Sequence, residues 1–187
     1  MQRLDTRLDG PLLLAPRVFG DERGFFMESY RRSAFADLGI TEEMVQDNHS
    51  RSSHGVVRGM HFQIGDGTSK LVRCGRGAIW DVVVDVRKGS PTFGEWEAAE
   101  LTDENHHELY VPIGFAHGFC VLSEVADVLY MQSNYYSGEV ERGFSYSDPD
   151  VGIEWPLPVD ELVPSERDRE APLLREIADH LPFTYAG

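Results

Sequence analysis

The chain of 187 residues is 41% hydrophobic and 11% aromatic, a composition that indicates a globular protein and excludes a disordered one. Its formal net charge of -15, from 17 Lys and Arg against 32 Asp and Glu, opposes binding to nucleic acids or to anionic membranes. No apolar run approaches the roughly 20 residues that cross a bilayer, and the first ten residues lack the basic-then-apolar order of a signal peptide. We therefore expect one cytoplasmic domain over residues 1–187.

Short β-prone runs, separated by Gly, Pro, Asn and Asp, occupy most of the chain from residue 11 to residue 146. The run DVVVDV is apolar at nearly successive positions, which is typical of a strand buried on both faces. Many short strands at this spacing favour a barrel or a sandwich. The clearest predicted strands lie over residues 78–86, 107–113 and 126–133.

Two short helices are predicted beside these strands. The first lies over residues 31–39, where Gly39 ends it, and the second lies over residues 172–181, where Pro172 suits the first turn. Between the strands and the second helix, residues 153–167 are rich in proline and are expected to wrap around the surface. The sequence thus predicts an all-β protein with a few short helices, the last of them C-terminal.

The two cysteines, Cys74 and Cys120, both lie inside apolar strand-like segments. Buried cysteines behave as small hydrophobic residues. The chain has no CxxC motif that would indicate a zinc or redox site. We therefore expect both residues in the core and no disulfide framework.

Polar side chains interrupt the strand-like stretches in several places. A buried polar side chain is costly unless it is paired, so polar residues on neighbouring strands are expected to share a pocket. The stretches concerned are VQDNHS (45–50), RGMHFQ (58–63), KLVR (70–73), PIGFAHGF (112–119) and VLYMQSNYY (128–136).

A metal site is the first possibility for such a pocket. The motif PxGxxH, which ends here at His117, resembles the second signature motif of the cupin superfamily. Cupin metal sites usually add HxH and a glutamate from a first motif, but here His61 is followed by Phe62 and Gln63, with no glutamate nearby. Two imidazoles without a carboxylate make a weak metal site. We therefore expect no catalytic metal.

Acid–base chemistry fits the polar residues better. Histidine can accept a proton near neutral pH, so His61 is a candidate general base. Tyr130 can donate a proton from another strand, and Lys70 can stabilise negative charge that develops on an oxygen. Arg23 and Arg58 can bind a diphosphate, which the acidic chain would otherwise repel. From spacing alone, a core histidine with one satisfied hydrogen bond remains the stronger interpretation of His61.

Six blocks in order resemble the dTDP-4-dehydrorhamnose 3,5-epimerase family, and together they run from about residue 10 to residue 181. The resemblance implies a cupin-type jelly-roll β-barrel and a homodimer that needs no metal or organic cofactor. It also implies inversion of C3 and C5 of a dTDP-4-keto-6-deoxy-hexose, next to the C4 ketone that acidifies both C–H bonds. The blocks are DERGFFMESY, VQDNHSRSSHGVVRGMHFQ, KLVRCGRGAIWDVVVDVRKGSPTFGEW, ELYVPIGFAHGFCVLSE, VLYMQSNYYSGEVERG and DPDVGIEWPL.

The resemblance also assigns roles to particular residues. His61 matches the family's general base, Tyr130 its acid and Lys70 the lysine near the enolate oxygen. Asp168 matches the carboxylate that pairs with the base histidine and raises its basicity. Arg23 and Arg58 match contacts to the diphosphate, Tyr136 matches the aromatic side chain that stacks on thymine, and the other matched substrate contacts are Glu28, Gln46, Asn48, His117 and Glu141.

Simpler interpretations of the binding residues stay open. Glu28 and Glu141 also fit solvated carboxylates at strand ends, Tyr136 fits core packing, and His117 fits a side chain that satisfies a neighbouring backbone group. The family often carries Lys where this chain has Met131, and residues 64–69 replace a more proline-rich loop. A mono-epimerase acting at C3 or C5 alone, a non-catalytic sugar-nucleotide-binding cupin and a metal-dependent cupin are therefore the competing hypotheses.

The stretch RGMHFQ raises a geometric difficulty. Side chains alternate between the two faces of a regular strand, so Arg58 and His61 would point in opposite directions. The resemblance requires both at the substrate. A bend or bulge near Gly59, or an arginine that reaches around the barrel rim, would reconcile them.

Overall fold

The computed structural model describes residues 1–186, which contain thirteen strands. The chain begins with two strands, a hairpin and a helix, and the remaining strands follow it. The strands are β1 (Gln2–Leu4), β2 (Leu12–Ala15), β3 (Val18–Asp21), β4 (Gly24–Met27), β5 (Gln46–Ser53), β6 (Val57–Gln63), β7 (Lys70–Arg76), β8 (Ala78–Asp85), β9 (Trp96–Thr102), β10 (Glu108–Val111), β11 (Phe115–Val121), β12 (Val125–Gln132) and β13 (Glu141–Gly143). The predicted strands over 78–86, 107–113 and 126–133 are confirmed as β8, β10 and β12.

Two antiparallel sheets enclose the central core. One has the strand order β1-β2-β10-β7-β12-β5, and the other has the order β13-β6-β11-β8-β9. Val72 and Val128 from the first sheet pack with Val83 and Phe119 from the second, and all four are buried. Cys74 and Cys120 are buried and free, as predicted. The spacing of the short strands predicted a barrel or a sandwich, and the observed architecture is an all-β barrel built from two packed sheets.

Each sheet is covered on its outer face. Helix α1 (Arg32–Ala36) places Phe35 against Leu14 and Leu71 of the first sheet. The C-terminal segment, defined here as residues 144–183, covers the second sheet and packs Trp155 and Leu181 into the same cluster as strand residues. This second cover matters for function because it passes over the open end of the barrel.

The helices are shorter than the sequence predicts. The predicted helix over 31–39 is present only as α1, and the helix over 172–181 becomes α3 (Leu174–Ile177) followed by a 3-10 turn over Ala178–His180. A further helix, α2 (Glu166–Arg169), lies at the end of the proline-rich stretch, where the sequence predicts no helix. Ser165 caps it by accepting a hydrogen bond from the backbone N–H of Asp168 at 3.1 Å. No helix within residues 1–186 is long and apolar enough to span a bilayer.

Strand β6 contains the irregularity predicted at Gly59. His61 lies opposite His117 of β11, yet Arg58 lies opposite Phe119, so two residues of β6 face one residue of β11. Gly59 has a φ of +134°, and its peptide bond with Met60 is cis. A Cβ atom on Gly59 would lie 2.6 Å from the Cα atom of Gly118. The bulge therefore requires glycine on both strands, at Gly59 and at Gly118. It directs Arg58 and His61 towards the same cavity.

The hairpin formed by β3 and β4 packs little against the rest of the chain. All four residues of β3 are exposed. Phe19, Phe25 and Phe26 have 51%, 60% and 71% of their surface exposed. Large apolar side chains left in water are typical of an interaction surface.

Candidate active site

A cavity of about 550 Å³ opens where the C-terminal segment crosses the end of the barrel. The size suits a small-molecule ligand. Its lining includes all four candidate catalytic residues, each from a different element: His61 on β6, Lys70 on β7, Tyr130 on β12 and Asp168 on α2. Residues separated by more than a hundred positions in sequence thus meet in one place.

His61 and Asp168 form a hydrogen-bonded pair. His61 Nε2 lies 2.6 Å from Asp168 Oδ1, and Asp168 is only 4% exposed. Burial raises the pKa of Asp168, but hydrogen bonds involving His61, Ser165 and the backbone of Gly59 outweigh it and hold the pKa below its usual value. An ionised Asp168 accepts a hydrogen bond from His61 Nε2–H. The lone pair on His61 Nδ1 is then available to accept a proton from a substrate.

A second histidine–aspartate pair lies on the floor of the cavity. His117 Nε2 lies 2.7 Å from Asp81 Oδ1, and both side chains are buried. Burial lowers the pKa of His117, and the nearby positive charges of Lys70 and His61 lower it further, although Asp81 acts in the opposite direction. His117 is therefore neutral at pH 7, with Nε2–H directed to Asp81.

Asp81 is a site residue that sequence reasoning missed. It lies in the run DVVVDV, where an acidic residue on a strand buried on both faces is itself the available signal. Such a carboxylate requires a buried partner, and here the partner is a histidine of the adjacent strand.

Lys70 and Tyr130 are both influenced by their burial. Burial lowers the pKa of Lys70 to about 8, while the negative charges of Glu141 and Asp81 act to raise it. Burial raises the pKa of Tyr130, and the charge of Glu141 raises it further. Tyr130 therefore keeps its proton at neutral pH and remains a donor. Lys70 is a cation that small changes in local charge can neutralise.

The predicted binding residue Arg58 lies at the rim of the cavity with its side chain exposed. Its Nε and Nη2 atoms donate to Ser52 Oγ at 3.2 and 3.1 Å. Because the serine hydroxyl holds the guanidinium without neutralising it, the full positive charge of Arg58 faces the opening.

Tyr136 lies at the same rim and is held at two points. Its hydroxyl donates to Glu141 Oε2 at 3.0 Å, and its backbone N–H donates to Gln46 Oε1 at 2.9 Å. Gln46 in turn donates to Asn48 Oδ1 at 2.8 Å. The buried Nδ2 of Asn48 has no hydrogen-bond partner among residues 1–186. With 53% of its surface exposed, Tyr136 is not the core residue of the simpler interpretation.

Arg167 is a second residue that the sequence did not reveal. It lies on α2 beside Asp168, lines the cavity and forms an ion pair with Glu141 Oε2. Only 14% of the Glu141 side chain is exposed, so Glu141 is not the solvated strand-end carboxylate of the simpler interpretation.

Four predicted binding residues do not line the cavity of their own chain. Gln46 and Asn48 lie next to it, through the hydrogen bond between Gln46 and Tyr136, whereas Arg23 and Glu28 lie on or just after the hairpin. Arg23, on the exposed hairpin, forms hydrogen bonds from Nε to both carboxylate oxygens of Asp21, at 3.2 and 3.1 Å. Glu28 follows the hairpin and pairs with Arg31. Neither residue lines the cavity of its own chain. Within residues 1–186, no group of three or more His, Cys, Asp or Glu side chains is placed to hold a metal ion.

A jelly-roll barrel that gathers a histidine–carboxylate pair, a tyrosine and a lysine in one cavity has the groups that an isomerase working by proton transfer needs. The model of the family described as dTDP-4-dehydrorhamnose 3,5-epimerase matches residues 5–176. The chain belongs to that family.

Individual relatives agree with the family match. The chain is 50% identical over 174 residues to the dTDP-4-dehydrorhamnose 3,5-epimerase of Salmonella typhimurium, an alignment that covers 91% of this chain and 94% of the relative. The crystal structure of dTDP-6-deoxy-D-glucose-3,5-epimerase from Legionella pneumophila, in complex with dTDP-4-keto-L-rhamnose, superposes with a TM-score of 0.96 at 43% identity, covering 100% and 99% of the two chains.

A mono-epimerase is less similar. The 3'-monoepimerase of Streptomyces bikiniensis, solved in complex with dTDP-quinovose, gives a TM-score of 0.88 at 35% identity and covers 96% of this chain and 92% of its own. The same fold therefore serves single and double epimerases, and the sequence identity favours the double epimerases. The expected cupin-type jelly-roll barrel is confirmed.

Proposed function

We propose that this protein is a dTDP-4-dehydrorhamnose 3,5-epimerase that converts dTDP-4-dehydro-6-deoxy-D-glucose into dTDP-4-dehydro-L-rhamnose. The observation that carries the proposal is the cavity in which the His61–Asp168 pair, Lys70 and Tyr130 meet. The C4 ketone of such a sugar acidifies the C–H bonds at C3 and C5. One base, one acid and one cation near the ketone oxygen are the minimum set for inverting those carbons.

In the proposed mechanism, His61 Nδ1 removes the proton from the carbon next to the ketone, and the electron pair of the broken C–H bond forms the enolate. Asp168 stabilises the resulting imidazolium. Lys70 neutralises the negative charge on the C4 oxygen, with His117 beside it. Tyr130 then delivers its proton to the opposite face of the same carbon. Every step uses a side chain of the protein, so the proposal includes no metal and no organic cofactor.

The rim of the cavity supplies the proposed contacts to the nucleotide. Arg58 binds the diphosphate through its unpaired positive charge. The exposed ring of Tyr136 stacks on thymine, since its position is held by hydrogen bonds from both ends. Gln46, Asn48, His117 and Glu141 form further contacts, and Asn48 brings a buried N–H group that has no other partner among residues 1–186.

The hairpin supports a homodimer as part of the proposal. Arg23 and Glu28 lie outside the cavity of their own chain, and the hairpin that precedes Glu28 exposes three phenylalanines. If the hairpin of each subunit packs over the cavity of the other, the phenylalanines are buried. The same arrangement brings Arg23 and Glu28 to the partner's substrate, where Arg23 joins Arg58 at the diphosphate.

Mixing two inactive variants tests the shared site. R23Q is expected to lower kcat/KM at least tenfold because a charge-assisted contact is lost, and H61A is expected to be nearly inactive. In a hybrid dimer, the R23Q subunit keeps its own His61 and receives Arg23 from the H61A subunit. Refolding the two variants together is therefore expected to restore about a quarter of wild-type activity, assuming random pairing in a twofold dimer.

The matched control mixes H61A with K70A. Both of these residues line the cavity from the chain that carries it, so no hybrid contains an intact site and no activity is expected to return. If the mixture of R23Q and H61A also recovers no activity, the proposed contribution of the hairpin to the partner's site is rejected. A monomeric mass in light scattering of the wild type would reject the dimer itself.

The reaction is tested by incubating the wild type with dTDP-4-keto-6-deoxyglucose in deuterium oxide and following C3 and C5 by NMR. We expect inversion and deuterium at both carbons. Exchange and inversion at one carbon only would identify a mono-epimerase, and binding without exchange would identify a non-catalytic binding protein. dTDP-glucose, which lacks the ketone, is the control and should show no exchange.

A further inference from the structure

Glu141 enters the cavity because of its register on β13. It pairs with Gln63 of β6, and Gly143 two positions later pairs with His61. Directly paired residues in an antiparallel sheet point to the same face, so the side chain of Glu141 lies on the face that carries His61. From there it lines the same cavity as Lys70.

Two donors from different elements converge on one oxygen of Glu141. The hydroxyl of Tyr136 and the guanidinium of Arg167 both donate to Oε2. Burial raises the pKa of Glu141, but Arg167, the charge of His61 and the hydrogen bond from Tyr136 outweigh that effect and lower it. Glu141 is thus a fixed negative charge within a cavity that holds a partly buried lysine.

The proton of Lys70 depends on its charged neighbours. Burial alone favours the neutral amine, and Glu141 and Asp81 are the two carboxylates that favour the ammonium form. Because the pKa of Lys70 is about 8, the loss of one favourable charge leaves a substantial fraction of the side chain neutral at physiological pH. The other charged or titratable groups that line this cavity are Arg58, His61, His117, Tyr130, Tyr136, Arg167 and Asp168.

We propose that Glu141 and Arg167 are positioning residues that together set the charge of Lys70: the carboxylate keeps it an ammonium ion, and the guanidinium limits the strength of that carboxylate. The inference rests on the proposed function, in which Lys70 neutralises the enolate oxygen. A neutral amine cannot do this, whereas a lysine held too strongly by a carboxylate gives less of its charge to the substrate.

The test uses the fact that the chain has only two lysines, Lys70 and Lys88. Labelling with 15N-lysine therefore gives two side-chain signals, and a K88R variant assigns them. Titration of the Lys70 signal is expected to give a pKa of about 8 in the wild type. We expect E141Q to lower it by roughly half a pH unit or more, because an attractive charge is lost. We expect R167Q to raise it, because a repulsive charge is lost and Glu141 is no longer paired.

The opposite directions separate an electrostatic role from a structural one. Loosening of the cavity in either variant would admit water and move Lys70 towards the ordinary lysine value in both cases. The basic limb of the pH profile of kcat/KM is expected to move in the same direction as the lysine titration in each variant. Matched controls are E139Q and R142Q, which remove the same charges from exposed positions next to Glu141 and should leave the Lys70 titration unchanged.

Each outcome has a definite meaning. Shifts in the same direction, or no shift in either variant, would overturn the proposal. Where E141Q does not fold, a fall or no change in the Lys70 pKa of R167Q would still overturn it. Equal shifts in E139Q or R142Q would also overturn it, since any nearby charge would then suffice. If the wild type has epimerase activity but the Lys70 pKa is unchanged in E141Q and R167Q, only this inference is rejected. If the two variants shift the Lys70 pKa in opposite directions but the wild type has no epimerase activity, only the proposed function is rejected.

Discussion

Replacement of His61 by alanine is expected to lower kcat by about a thousandfold or more while dTDP still binds. In the proposed mechanism the imidazole removes the proton, and neither Lys70 nor the neutral His117 takes its place, because both are directed to the C4 oxygen. The contacts to the nucleotide lie at the rim, where Arg58 and Tyr136 are unaffected by the loss. Turnover assays measure the loss of kcat, and calorimetric titration with dTDP measures binding of the nucleotide.

The same experiment has a matched histidine control. His49 lies on β5 with 56% of its side chain exposed, and it pairs with Asp127 rather than with a cavity residue. H49A is expected to retain wild-type kcat. Activity retained by H61A would assign the base to another residue, and dTDP binding lost by H61A would show that the side chain has a structural role.

Replacement of Gly59 by alanine is expected to destabilise the protein by about 3 kcal/mol or more and to abolish activity. The new Cβ atom would lie 2.6 Å from the Cα atom of Gly118 and 3.0 Å from the carbonyl oxygen of His117, so it meets backbone that cannot rotate away. The φ of +134° adds a conformational cost for any residue with a side chain. Urea unfolding monitored by fluorescence measures the loss.

Gly39 provides the control for the conformational part of this effect. It also has a positive φ, of +90°, but a Cβ atom placed on it would meet nothing within 4 Å. G39A is therefore expected to lose only about 1 kcal/mol and to keep its activity. Equal losses of stability for G59A and G39A would show that the close approach of β6 and β11 contributes nothing.

The strands were predictable because their signals are local. Turn residues bound β8 and β12, and the apolar runs between them have the length of strands. The bulge at Gly59 was also predictable, although by a different route. Arg58 and His61 both had to reach the substrate, and a regular strand cannot place side chains three positions apart on one face.

The parts that the sequence did not predict depend on distant residues. Helix α2 has four residues, too few for a periodic pattern, and it relies on the cap from Ser165. The role of Asp81 as the partner of His117 follows only from the pairing of β8 with β11. The position of Arg23 away from the cavity follows from the hairpin's geometry, which a one-dimensional motif does not record. The roles of Asp168 and Tyr136 came from the family resemblance and not from spacing.

The pairing of His61 with Asp168 also orders events during synthesis of the protein. The two residues are 107 positions apart, and all thirteen strands have been synthesised before Asp168 is added to the chain. Domains generally fold as units, so a single-domain chain folds only when most of it has been made. The proposed catalytic set is therefore complete only when nearly all of the chain has been translated.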